Sequence, residues 1–333
     1  MTIVLPLIYI LIFPGFLFLA LVALLAEYVD RKLCAKLQNR VGPPWYQPFA
    51  DLIKLAAKQD LVPELADTWM FRLTPLVALT AVLAAFLYIP IWSNRALFGF
   101  QGDLIVVLYL LTIPTVTFFL GGWYSRSVFS MIGAARSLMQ LFAYEIPLFL
   151  CILAPAILAN TWSIGGTPAI PATPTTPAVP AVPGITEFYA AHPAYALINL
   201  LGLGVSMIAL LGKLERVPFD IPEAETEIVA GSFTEFSGRR LAIFRLAISI
   251  EMIVAASLFA AVFIPFGLTL GPVPAFLLYL VKVFAIVAAL SVLRTIFARL
   301  RIDQMINFCW QIAAPLAFLQ VLADLILKGV LPA

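Results

Sequence analysis

Three ionisable residues stand in stretches that are otherwise hydrocarbon-like: Glu145, Glu251 and Lys282. A charge at the middle of a bilayer costs at least about 2.5–3.5 kcal/mol on insertion scales, so each needs a partner or a water-filled path. An apolar surrounding disfavours the charged form of a carboxylate or an amine, which is the condition for proton exchange near neutral pH. Two readings fit these types: a proton relay or charge switch, and a structural Glu–Lys pair that holds helices together. Asp324, near the end of the last apolar stretch, reads as interfacial.

The densest chemistry lies at 213–240, where Glu215, Asp220, Glu223, Glu225, Glu227 and Glu235 share one segment with Lys213, Arg216, Arg239 and Arg240. Pro222 followed by Glu223-Ala224-Glu225 predicts a helix start, because proline suits a first turn and acidic residues complement the helix dipole there. Glu223 and Glu227 are then one turn apart and repel unless one is protonated or paired. Phe219, Phe233 and Phe236 supply apolar anchors that a solvated loop does not need. The segment is expected to fold as a partly buried loop at a protein or ligand interface. The plain alternative is a solvated run of charge.

Long apolar segments position these groups. The 333 residues are 63% hydrophobic and 11% charged, with a mean hydropathy of +1.04; about a quarter of a soluble domain is charged. The expected fold is an all-α integral membrane protein, a single polytopic domain over 1–333. Eight spans are predicted at about 3–25, 73–92, 104–122, 137–159, 194–212, 241–266, 274–297 and 308–327, each long enough to cross roughly 30 Å of hydrocarbon. At about 1.5 Å per residue, Glu145, Glu251 and Lys282 lie roughly 12–15 Å deep.

The loops 26–72, 123–136, 213–240 and 298–307 hold fifteen Lys and Arg residues, against Arg95 and Lys328 on the other side. The positive-inside rule makes those four loops cytoplasmic and places both termini outside. Within the first loop, Pro48–Gln59 predicts a short amphipathic helix lying in the membrane interface, with Phe49, Leu52, Ile53, Ala56 and Ala57 on its apolar face. A short helix packed beneath other loops is the alternative. The external loop 160–193 contains a proline-rich, uncharged run at 167–183, which predicts a semi-rigid surface spacer, with a docking strip for a neighbouring subunit as the alternative. The N-terminal apolar run lacks a preceding basic region and is long, so it reads as a first span rather than a cleaved leader.

Several function classes fall away. Net charge is +2, which gives no global signal for nucleic acid. Cys34, Cys151 and Cys309 are scattered and His192 is the only histidine, so no protein-bound iron–sulfur, zinc or haem site is expected. No nucleophile–base set or phosphate-binding loop is present, and covalent or metal-assisted catalysis by this chain alone is not expected.

The charged loops carry a family resemblance. Asp30-Arg31-Lys32, Gln38-Asn39-Arg40-Val41-Gly42-Pro43-Pro44 and Gln47-Pro48-Phe49-Ala50-Asp51 resemble the first loop of the H-type membrane subunits of respiratory complex I. So does Arg216-Val217-Pro218-Phe219-Asp220-Ile221-Pro222-Glu223-Ala224-Glu225, with Thr234-Glu235-Phe236-Ser237-Gly238 after it. Gly133-Ala134-Ala135-Arg136, Tyr144-Glu145, Lys282 and Arg294 add to the match. The family is shared with membrane-bound [NiFe] hydrogenases and sulfur-reducing complexes. The direct joining of Pro44-Trp45-Tyr46 to Gln47-Pro48 looks like the hydrogenase-type branch, whereas Arg216–Asp220 looks like the quinone branch. Both branches stay open.

The resemblance implies a membrane anchor and coupling subunit that links redox chemistry in a peripheral iron–sulfur arm to H+ or Na+ translocation. It implies a docking or redox-facing set of Asp30, Arg31, Lys32, Gln38, Arg40, Arg216, Phe219, Asp220 and Glu235, and a coupling path through Glu145, Glu251, Lys282, Glu223, Glu225 and Glu227. No cofactor is expected on this chain itself. Iron–sulfur clusters are expected in hydrophilic cytoplasmic partners, with quinone an open ligand and other membrane subunits, antiporter-like ones included, as neighbours in the cell membrane. The rival reading is a stand-alone secondary ion transporter or channel built on Glu145, Glu251 and Lys282.

Overall fold

The computed structural model describes residues 4–167 and 181–330, so most of the proline-rich run lies outside the described residues. What is seen of that segment is its closure, an antiparallel bridge between Thr167 and Val182. Among the described residues the chain is helical and forms no extended strand.

The first span is broken. α1 (Val4–Leu11) stops before Pro14 and Gly15, and α2 (Phe16–Leu37) continues well beyond the predicted boundary. Proline cannot donate to the preceding turn, and a Cβ on Gly15 would sit 1.9 Å from the Ile10 carbonyl oxygen. Asp30, Arg31 and Lys32 are therefore helical rather than in the loop that the sequence predicts, because no breaker occurs before Asn39 and Gly42, both at positive φ. α3 (Gln47–Ala57) is the short amphipathic helix, packed on α2 and on the later helix Gly238–Phe263. Ile53, Ala56 and Ala57 on its apolar face remain exposed.

α4 (Thr68–Phe86) is capped by Asp67, whose side chain accepts from the Trp69 and Met70 amides. α5 (Asp103–Tyr124) and α6 (Val128–Ala159) follow. The early start of α6 converts most of the predicted loop 123–136 into helix. Gly133 makes this close approach: a Cβ there would lie 2.4 Å from the Ser232 amide nitrogen.

The predicted span 194–212 is divided. α7 (Ile185–Ala191) and α8 (Pro193–Ile198) precede a break at Asn199, and α9 (Leu200–Lys213) has only 14 residues. Among the described residues seven helical stretches are long and apolar enough to cross a membrane, the last running from Ile302 to Gly329, and this segment is not among them. The acidic loop contains α10 (Glu225–Ile228), which begins three residues later than Pro222 predicts and lasts one turn. α11 (Gly238–Phe263) and α12 (Pro272–Ile296) are uninterrupted, while α13 (Ile302–Phe308) joins α14 (Ala314–Val330) through a π-helical turn at Cys309–Ala313.

α11 is the axis of the bundle. It packs against α2, α3, α4, α5, α6, α9 and α12, and 94% of its apolar window is buried. α6 seats α9 and α14 on its other side. A second cluster pins the acidic loop to the bundle: Phe236 stacks on Phe71 with centroids 4.0 Å apart, and Phe233 meets Phe118 and Phe244 edge-on. Phe13 and Lys328 lie at the end remote from this loop. Phe13 stacks on Trp92, and Lys328 donates to Asn160 at the C-cap of α6.

Candidate functional site

A cavity of about 490 Å3 opens at the charged end and reaches into the helix interior. α2 supplies Glu27, Asp30 and Arg31; the loop after α9 supplies Glu215, Arg216, Asp220 and Glu223; α11 supplies Arg245, Ser249 and Glu251; Arg294 and Arg299 close the far wall. One water takes up about 30 Å3 in the liquid, so this volume and lining suit a hydrated chain of charges.

The guanidiniums at the mouth are matched. Arg299 Nε lies 3.1 Å from Asp220, Arg245 lies 3.3 Å from Glu223, and Arg31 bridges Glu27 and Asp51. Deeper in, Asp30 is buried and is met by Arg216, by Arg294 at 2.8 Å and by the Ser291 hydroxyl at 2.7 Å. Ser249 donates to Glu27 at 2.9 Å.

Two carboxylates continue inward. Glu215 is buried, takes a hydrogen bond from Ser137 and has no ion pair among the described residues. Burial, and next the nearby Glu223 charge, push its pKa up to about 8. Its backbone is left-handed, with φ 50°, a conformation costly for a side-chain-bearing residue and found where surrounding structure imposes it. At the inner end, Glu251 is fully buried in α11 and Lys213 Nζ lies 3.0 Å from its Oε1. Lys213 also donates to the Leu111 carbonyl, while neither Glu251 oxygen accepts an aligned hydrogen bond.

The three intramembrane charges singled out in the sequence therefore do not pair with one another. Lys282 caps the end of α11 instead, donating to the Ile264 carbonyl at 2.7 Å and to that of Phe266. Glu145 is half-buried on α6, outside the cavity lining, and has no ion pair among the described residues. Lys213, expected in a cytoplasmic loop, is the buried partner of Glu251. Asp324 is fully buried inside the bundle.

The acidic loop also resolves its predicted repulsion. Glu223 turns to Arg245 and Glu227 to Arg136 at 2.6 Å, because the chain is not yet helical at 223. The hydrogen bond from Arg136 holds Glu227 below the usual carboxylate range. The Glu225 side chain lies outside the described residues. Phe219 is buried beside Phe308, and Gln140 donates to its carbonyl at 2.8 Å. Glu235 lies outside the cavity, Gln38 and Arg40 are exposed, and Lys32 donates to the Val41 carbonyl.

Glu27, Lys213, Glu215, Arg245, Ser249, Arg294 and Arg299 are among the cavity or ion-pair residues not singled out for the path. Two local signals pointed to some of them: Glu27 and Arg31 are spaced one helical turn apart, as are Arg245 and Ser249. Among the described residues no group of three His, Cys, Asp or Glu side chains could hold a metal ion. Carboxylates, an amine and guanidiniums ranged along one cavity can hold, shift and exchange protons.

Comparison with known proteins gives one consistent answer. The sequence model of the NADH dehydrogenase family matches residues 9–325. The H-type component of NADH-quinone oxidoreductase from Carboxydothermus hydrogenoformans is 30% identical, over 94% of this chain and 85% of its own length. An H-type component of the same oxidoreductase from Geobacter sulfurreducens is 34% identical, over 92% of both chains. Among solved structures, a chain of the membrane-bound sulfane sulfur reductase, an archaeal respiratory membrane complex, aligns with a TM-score of 0.78 and 25% identity, over 92% of this chain and 96% of that one.

Proposed function

Since the chain belongs to the NADH dehydrogenase family, we propose that this membrane subunit of a complex I-related oxidoreductase couples electron transfer in a partner arm to ion movement through its charged cavity. The observation that carries the reading is the run of carboxylates from Asp220 and Glu223, through Asp30 and Glu215, to the Lys213–Glu251 pair in the helix interior. Structural ion pairs do not require such a graded inward run beside a cavity large enough for water.

In this reading the charged end faces the cytoplasm, both chain ends face outside, and the broken α8–α9 segment makes the eighth crossing. Hydrophilic iron–sulfur and catalytic subunits sit over α3 and the acidic loop, with ion-translocating membrane subunits alongside. A change of charge at the partner arm shifts the outer pairs, Asp220–Arg299 and Glu223–Arg245, and the inner carboxylates take up or release protons in response. Glu215 is suited to this, since its pKa of about 8 lies close to neutrality. Quinone stays an open ligand of this cavity, whose wall includes Phe118, Leu214, Val217 and Ile248 beside its charged residues. Water and this chain's own side chains carry the path.

The test is Glu251→Gln in the assembled complex. It keeps the shape of the side chain but cannot exchange a proton. An assembled complex of lowered melting temperature, with Lys213 left unpaired and ion uptake abolished, is expected on reconstitution into liposomes. Undiminished uptake would exclude the cavity as the coupling path.

A further inference from the structure

A second buried acid lies far from the charged cavity. Asp324 sits on α14, one turn before Lys328, whose Nζ donates to Asn160 at the opposite end of the bundle. At about 1.5 Å per residue it is roughly 6 Å deeper than that lysine. It is fully buried, and it forms no ion pair among the described residues.

Its surroundings form an ordered chain of hydrogen bonds. Gln320 Nε2 donates to Asp324 Oδ2 at 3.2 Å and to Asn199 Oδ1 at 3.0 Å. Gln320 Oε1 accepts from the Gly202 amide at 3.3 Å, which fixes the orientation of the Gln320 amide. That donor exists because of the break at Asn199: Gly202 is the third residue of α9, and the first amides of a helix have no partner within it. Asn199 Nδ2 donates to the Tyr189 hydroxyl at 2.7 Å, and Tyr189 donates to the Pro155 carbonyl. The polar atoms of Gln320 and Asn199 are thus occupied. Asp324 Oδ1 is buried and without a partner.

We propose that Asp324 is a second proton-exchanging site, held by Gln320 and Asn199 at the broken helix in the half of the bundle opposite the charged cavity. The proposal rests on the reading of this chain as an ion-coupling subunit. A carboxylate placed only to receive the Gln320 amide needs one oxygen, and an asparagine would serve. The other oxygen, shielded and unmatched, is where a proton adds and leaves, while the bond from Gln320 to Oδ2 persists in both states. A metal cation requires several oxygens at once, and only this one is free. Tyr189, Tyr195, Cys151 and Lys328 are titratable groups of this region: Tyr189 and Lys328 are engaged on Pro155 and Asn160, Tyr195 stacks on Phe188, and Cys151 packs against Val205, Ala313 and Ala317.

The experiment compares wild-type, Glu251→Gln, Asp324→Asn and Asp324→Glu complexes in liposomes. It measures ions moved per electron and the redox-induced infrared carboxyl bands. Asp324→Asn is expected to lose most of the ion-per-electron ratio and one protonated-carboxyl band, and Asp324→Glu to restore part of the ratio with that band shifted. If Asp324→Asn fails to assemble, the band shift in Asp324→Glu decides: a shift supports the site and an unchanged band overturns it. Wild-type ratio and bands in Asp324→Asn, with Glu251→Gln inactive, overturn this inference alone. Full pumping by Glu251→Gln would instead remove the reading on which it rests.

Discussion

Lys213 and Glu251 meet with Nζ 3.0 Å from Oε1, and almost no solvent reaches either side chain. Removing one member of such a pair leaves an uncompensated buried charge, which typically costs about 3–5 kcal/mol, whereas removing both together can be nearly neutral. Lys213→Met should therefore lower the melting temperature of the assembled complex sharply, and Lys213→Met combined with Glu251→Gln should recover most of it. Equal losses in the single and double variants would show that the pair is not coupled.

Asp30 joins three elements, since Arg216 comes from the acidic loop and Ser291 and Arg294 from α12. Asp30→Asn keeps the shape and removes the charge that two arginines share. The expected result is an assembled complex with a loosened 214–223 loop, seen as faster amide exchange there and at least a several-fold drop in coupled turnover. Unchanged exchange across that loop would mean that other contacts hold it.

Glu215 gives a pH signature. Its folded-state pKa of about 8 exceeds the ordinary carboxylate value, so between roughly pH 4.5 and 8 the folded chain holds a proton that the unfolded chain has lost. Stability contributed by this group is full below that window and falls as pH rises through it. Glu215→Gln should flatten the decline, making the variant relatively more stable at pH 8 than at pH 5. A thermal-melt series across this range, run on both proteins, checks the sign.

Gly231 stands at φ 53°, and a Cβ there would lie 1.7 Å from the Pro222 carbonyl oxygen. Backbone would have to move, not a flexible side chain. Gly231→Ala should disorder the 222–234 turn and reduce recovery of the partner arm on gentle extraction, while membrane insertion is retained. Intact co-purification would show that the turn tolerates rearrangement.

Orientation can be read with cysteine labels in a Cys34→Ser background. Gln59 and Val229 are exposed at the charged end and His192 at the other, whereas Ser232 is buried and unsuitable. Labels at the first two positions should react only from the cytoplasmic side, and at His192 only from outside. The reverse pattern would invert the proposed topology.

The helices were legible because long apolar runs and loop charge are one-dimensional signals. The site was legible in part. Asp30, Arg216, Asp220 and Glu223 were marked by dense charge and a resemblance, but their partners were not, since pairing depends on which helices adjoin. Lys213 looked like a loop residue because it closes the short α9 and turns inward to a glutamate on α11. Lys282 looked like a relay member because depth along one helix says nothing of the neighbouring helix end. The break at Asn199 escaped notice because no proline or glycine lies at that position.

The enclosure of α11 has a mechanical side. A bilayer that thins or thickens acts on helices through the faces they show to lipid, tilting or shifting them at modest cost. α12 and the segment ending in α14 leave most of their apolar length outside the protein interior, with only 33% and 28% of it buried, whereas α11 has 94% buried. Changes in acyl-chain length or lateral tension thus reach the rim of the bundle first. Glu251 rides on the element that the lipid does not grip, and its depth is set by protein contacts in whatever membrane holds the complex.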